Sequence, residues 1–327
     1  MESKALVVNG RDTVVSRTPR RTLMTDSLFR SLTVAAAASV VLVVAGIFAL
    51  LLVESMPALA KFGPAFLVSA SWNPVTENFG ALPAVAGTLM TSLVAMLIAV
   101  PVAFGSAFFI NELCPYALRG GLTIAIELLA AIPSIIYGMW GLFVLAPFMA
   151  RHIEPLLIDG LGPLPGLGIL FQGPPFGIGT LTASLILGVM VTPYIAAVAR
   201  QVIAGVPPVL REAAYAVGAT RWEVFRHVLM PYAARGLLGG SMLGLGRALG
   251  ETMAVTFVIG NAHRIASSLL APGTTISATL ANEFTEAVGD IYLSSLLALG
   301  LILFAITFAV LAAARFLLGS VGERTSA

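Results

Sequence analysis

Residues 31–53 form a run of 23 positions without one charged side chain, closed by Arg30 on one side and Glu54 on the other. Such a run has no polar face to turn toward water. About 20 apolar helical residues span the roughly 30 Å of a bilayer's hydrocarbon core, and there only helices and closed barrels satisfy every backbone group. Five further segments have comparable length and character: residues 88–110, 122–149 (with one acid, Glu127), 181–199, 236–260 and 291–314. Only 10% of the 327 residues are charged, against about 25% in an ordinary soluble domain. The expected fold class is an all-α membrane protein with six transmembrane helices.

Charge placement orients the spans. With six of them, both termini share a side with the loops near Arg119 and from Arg200 to Arg235, and that side collects 14 of the Lys and Arg residues. The opposite side holds Lys61, Arg151 and Arg264. The positive-inside rule therefore puts both termini in the cytoplasm. Ala58-Leu59-Ala60 resembles a signal-peptidase site, but the apolar stretch before it is longer than the 7–15 residues or so of a cleaved signal, so an uncleaved anchor is expected. One cysteine, Cys114, and three scattered histidines offer no metal-ligand spacing. A net charge of +2 gives no reason to expect a nucleic-acid partner.

The loops differ in what they can do. Residues 151–180 are rich in Gly and Pro, so an irregular segment over the outer mouth is expected, either a connection or a docking place for a partner. The long basic loop reads as two short helices. Pro207 and Pro208 open a turn, residues 210–217 follow as a helical stretch, and Gly218 fits the position that terminates it. Thr220 and Glu223 then form a T-x-x-E capping box for a second short helix, with Pro231 expected to end it. This element displays Ala213, Ala214, Val217, Trp222 and Phe225, an apolar ridge that suits the groove of a soluble partner. Its "EAAYAVG" and, later, "VLMP" resemble the EAA loop of ABC importer permeases, matched by Glu212, Ala213, Ala214, Gly218 and Pro231, with Val228 and Met230 where Ile and Leu are usual. The resemblance implies that this loop seats in a cleft of an ATPase subunit. The bland alternative for Glu212 is a favourable charge at a helix N-terminus. A P-loop needs a lysine after glycine, and Lys4 and Lys61 do not follow glycine, so ATP hydrolysis is expected from a partner.

Arg247 and Glu251 interrupt the apolar residues 236–260, and each charge costs roughly 2.5–3.5 kcal/mol on an insertion scale. Four residues apart, they are expected on one helix face. They form either a self-contained ion pair or a site on a polar path. For an anion, the guanidinium fork matches oxyanion geometry, while Glu251 either holds that fork or accepts a proton-bearing oxygen. Gly236, Gly240 and Gly244 repeat at four-residue spacing and suit close helix packing. Glu127 is expected either to pair with Arg247 or to sit at the watery end of its span, and Pro133 and Gly138 suggest a bend.

The stretches "GLGRALGETMAVTFVIGN", "ELLAAIPSIIYGMWGLFVLAP" and "SWNPVTENFGALPAVAGTLMTS" resemble the PstC-type permeases of phosphate ABC importers. That resemblance implies a MetI-like core in a bacterial inner membrane and phosphate as substrate. It also implies a PstA-type second permease, two ATPase subunits and an extracytoplasmic phosphate-binding protein, with no cofactor or metal. It makes Arg247 and Glu251 transport residues. The organisation it suggests is a basic tail over 1–30, a first span and outer loop over 31–83, and a permease domain over 84–318. That domain carries a coupling loop at 205–231, and a C-terminal tail follows over 319–327. Rivals are an importer of sulfate, molybdate or phosphonate, or an ion-coupled secondary transporter, which would leave the EAA loop unexplained.

Overall fold

The computed structural model describes the backbone of residues 20–323 and the side chains of residues 27–316. Most of the expected tail at 1–30 and part of that at 319–327 lie outside the described residues. Among the described residues five helices are long and apolar enough to cross a membrane: Ser27–Phe62, Leu82–Leu113, Ser134–Leu161, Thr180–Ala204 and Asp290–Phe316. The remaining expected span, the fifth in chain order, falls on α11 (Met230–Leu249), whose 20 residues include five glycines and two arginines. It has the length, but its composition is less apolar than that of the five.

The chain divides into two units at Leu50. The first contains the opening part of α1 (Arg20–Phe62), whose side chains from Ser27 to Leu50 are exposed and, after Arg30, mostly apolar. The second begins at Leu51 and holds everything that follows. α2 (Ala65–Val68) leads into a small antiparallel hairpin, β1 (Trp72–Asn73) and β2 (Asn78–Phe79), with Trp72 opposite Phe79. Asn73 Oδ1 accepts the backbone N–H groups of Val75 and Thr76 and so closes the turn.

α3 (Leu82–Phe108) and α8 (Thr180–Ala204) form the centre of this unit. Ala95, Ala99 and Ala103 recur every fourth residue along α3, and a Cβ placed on Gly188 of α8 would lie 3.3 Å from the Ala95 carbonyl oxygen. Small residues thus bring the two backbones together. The core around them takes Ile186, Leu187, Met190, Val191 and Ile195 from α8. α11 packs on another face of α8 through its glycine stripe: a Cβ at Gly236, Gly240 or Gly244 would come within 2.5–2.8 Å of Val202, Val198 or Ile195.

Residues 122–149 are not one helix. α4 (Tyr116–Ala131) stops at Ile132, whose φ of −63° and ψ of 130° are extended. Pro133 disfavours the helical region for its predecessor, so the bend expected there is a full break. The helix restarts as α5 (Ser134–Trp140) and continues through a π turn into α6 (Ala146–Phe148), then through a second into α7 (Glu154–Leu161). The irregular segment expected from Arg151 therefore begins only at Gly162, because the π turns absorb Pro147 and Pro155 within the helix.

A similar correction applies to the basic loop. α9 (Pro208–Ala216) and α10 (Arg221–Val224) are the two expected short helices, but the second does not end at Pro231. A π turn, Phe225–Leu229, joins α10 to α11, with the Met230 N–H donated to the carbonyl of Phe225. The widened turn lets proline enter at the start of α11. The fifth expected span is broken instead at residues 250–252, before α12 (Met253–Thr256). α13 (Ile276–Glu283) and α14 (Asp290–Glu323) complete the chain and share a second core with Phe66, Phe79 and Ala84.

Candidate transport and coupling sites

α11 closes at Leu249, with Gly250 as its C-cap. Arg247 lies in its last turn and Glu251 beyond it, so the two do not share a helix face as the four-residue spacing suggested. Among the described residues no carboxylate oxygen lies within 4.0 Å of the Arg247 guanidinium. That group sits over the ring of Tyr194 on α8, 5.8 Å from its centroid, and is exposed. Glu251 is half-buried, and its Oε1 accepts the Ala254 N–H at 3.3 Å, which fixes the carboxylate to the start of α12. The break is held by close packing: a Cβ on Gly138 of α5 would be 2.7 Å from the Phe257 ring and 3.1 Å from Ala254 Cα. Gly138 marks the place where α12 approaches α5.

Glu127 does not reach Arg247; of the two expected placements it takes the exposed end of its span, where it gains a partner the sequence did not suggest. Its Oε1 meets the Arg200 Nη2 at 3.2 Å, with side chains 54% and 22% exposed, at the same end of the helices as the basic loop. Arg247 and Glu127 therefore belong to separate groups.

The coupling candidates are brought together. Gly218 has φ +87°, the left-handed region that favours glycine. Its N–H bonds the Tyr215 carbonyl and the Ala219 N–H bonds that of Ala214, a Schellman motif that turns the chain back from α9. At Thr220 the capping box is complete: its hydroxyl oxygen accepts the Glu223 N–H, and its backbone N–H is donated to the Glu223 carboxylate at 2.8 Å. Those bonds from the Thr220 backbone and hydroxyl hold the Glu223 carboxyl below its ordinary range. Glu212 and Ala213 are exposed beside Tyr215, Val217 and Trp222. Ala214 and Phe225 are only half exposed. Ala214 packs toward a core formed by Ile203, Val206 and Leu229, and the Phe225 ring lies 4.1 Å from that of Phe108. The displayed ridge is thus narrower than the sequence suggested.

Residues 115–321 match the family model described as binding-protein-dependent transport system inner membrane component. A phosphate transport system permease protein PstC of Mesorhizobium japonicum is 56% identical over 326 residues, covering 100% of this chain and 98% of its own. The PstC of Haemophilus influenzae is 50% identical, covering 90% and 93%. The chain belongs to the PstC family of permeases. Two solved structures agree with this PstC-type permease in fold alone. One is a bacterial alginate ABC transporter (TM-score 0.58, 17% identity, 90% of this chain and 94% of that one). The other is the MetNI methionine ABC transporter in an inward-facing form (0.51, 18%, 74% and 94%).

Two groups of the permease escaped the reading of its sequence. Arg211 pairs with Glu112 at 3.1 Å, and Glu283 accepts from Trp72, His263 and Tyr292. The first left a trace: Arg211 and Ala214, three apart on α9, face inward while Glu212 and Ala213 face out. The second left none, since Trp72 and Glu283 are separated by 211 positions.

Proposed function

We propose that this multi-pass inner-membrane permease is the transmembrane subunit of an ATP-driven inorganic phosphate importer, lining half of the translocation path opposite a PstA-type subunit. In this reading both termini are cytoplasmic, and α9 with α10 seats on an ATPase that hydrolyses the ATP. A phosphate-binding protein delivers substrate from the other side. Similarity to phosphate permeases over the whole chain supports the substrate, and one structural observation supports the site. Among the described residues Arg247 has no carboxylate partner and is held over an aromatic ring, which leaves its donors for an oxyanion. Glu251, with one oxygen tied to Ala254, keeps the other for a protonated oxygen, which phosphate has at neutral pH and sulfate lacks. We assign Glu127 with Arg200 to the cytoplasmic exit, where both side chains reach water.

Labelled phosphate uptake by the assembled transporter tests this, with Arg247→Met against wild type and sulfate as competitor. Hydrogen bonds to a charged group contribute about 1.5–3 kcal/mol, so uptake is expected to fall about 10- to 150-fold in the variant. Sulfate should leave wild-type uptake unchanged. Full uptake by Arg247→Met would remove the residue from the path, and inhibition by sulfate would widen the substrate to tetrahedral oxyanions.

A further inference from the structure

Arg211 lies on the inward face of α9, directly before the outward Glu212, and its fork reaches two different helices. Nη2 donates to the carbonyl of Ile203, in the last turn of α8, at 2.6 Å. That carbonyl belongs to a helix end, which favours a cation. Nη1 lies 3.1 Å from Glu112 Oε1. The contact is an ion pair that does not meet hydrogen-bond geometry, and Arg211 Nε also lacks an acceptor among the described residues. The side chains are 22% and 10% exposed, so this is largely a buried pair.

Glu112 reaches that place because α3 ends in a π turn, Phe109–Leu113. The turn is tied on both sides: Asn111 Nδ2 donates to the Arg200 carbonyl at 3.1 Å, and Arg119 Nη2 to the Asn111 carbonyl at 2.8 Å. One planar, rigid group thus fastens α9 to the ends of both central helices. Stability explains it poorly, because a buried ion pair seldom exceeds a well-packed apolar pair. What a guanidinium provides, and an ammonium does not, is two attachments in fixed mutual geometry.

We propose that Arg211 is a positioning residue for coupling, anchored by Glu112, which carries displacement of α9 to α3 and α8 together. This rests on the reading of α9 as the ATPase-facing element. Without the fork, α9 would respond to the ATPase while the central helices lagged behind it.

The measurement is phosphate imported per ATP hydrolysed, in proteoliposomes holding the complete transporter with its binding protein, normalised to assembled complex. The variants are Arg211→Lys, which keeps the charge and loses the fork, and Glu112→Gln, which keeps the shape and loses the charge. ATP hydrolysis is expected to continue in both while the transport ratio falls about fivefold or more. A ratio within about twofold of wild type in either assembled variant, or failure of both to assemble, would make the pair a structural brace and overturn the proposal. Wild-type complex that imports no phosphate would instead overturn the substrate reading, leaving the linkage to be read with the oxyanion that is imported.

Discussion

Tyr194 has the same relation to Arg247 that sequence spacing gave to Glu251. A ring 5.8 Å from the guanidinium attracts it through the ring quadrupole without occupying its hydrogen-bond donors, unlike a carboxylate. For an anion path the ring is the better neighbour, since it orients the fork and leaves its charge uncompensated. Tyr194→Phe, which keeps the ring, is expected to import phosphate at close to the wild-type rate. Tyr194→Leu loses a contact of about 0.5–1 kcal/mol and should import about 2- to 5-fold more slowly, which an initial-rate uptake assay would resolve. Arg247 stood out as a candidate in the sequence because a charge in an apolar run needs a cause. Its partner did not. Whether residues four apart share a face depends on the helix continuing between them. Here it ends at Leu249, in a place set by α12 closing on Gly138, more than 100 residues earlier in the chain.

Helix ends show which signals are local enough to read. The Schellman turn at Gly218 and the capping box at Thr220 were visible because every residue involved lies within a few positions. Thr220→Ala removes the cap and is expected to lower the stability of α10 by about 1 kcal/mol, measurable as faster amide exchange over residues 221–224. Prolines were harder. Pro133 breaks a helix, whereas Pro231, Pro147 and Pro155 follow π turns inside continuing helices. No local pattern separates the two outcomes, because a π turn survives only where packing supports it. The glycines carry a comparable distinction. The stripe at Gly236, Gly240 and Gly244 meets side chains, which can shift, but a Cβ on Gly87 would lie 1.8 Å from the carbonyl oxygen of Thr274. Backbone against backbone has no such freedom. Gly87→Ala should therefore destabilise by about 1–3 kcal/mol or more, seen as a lower thermal midpoint of the purified protein, and Gly240→Ala by less.

At the scale of the whole second unit, contacts spanning up to 211 positions of sequence gather four elements at one carboxylate. Glu283, at the end of α13, accepts Trp72 Nε1 from β1 at 2.7 Å, His263 Nε2 from the loop before α13 at 2.6 Å, and the Tyr292 hydroxyl from α14 at 2.7 Å. The rings also stack, Trp72 on His263 and Phe79 on Tyr292, with centroids 5.2 and 5.1 Å apart. Burial pushes the Glu283 carboxyl up, but the bonds from His263, Tyr292 and Trp72 together with the imidazole charge outweigh it, and the net shift is downward. A carboxyl with a folded-state pKa below its unfolded value of about 4.3 stabilises fully above that value. The stabilisation is lost as pH falls through the lower, folded value. Acid should thus loosen the attachment of the hairpin and the 263 loop to α13 and α14. Glu283→Gln keeps the shape and discards the charge, so its cost at pH 7 should be about 1.5–3 kcal/mol, the contribution of hydrogen bonds to an ionised acceptor. As pH drops from about 5 to about 3, protonation makes the wild type resemble the variant, and the gap between their thermal midpoints should close. A gap that stays constant across this range would mean that the cluster is held by its ring packing, with the Glu283 charge contributing nothing to it.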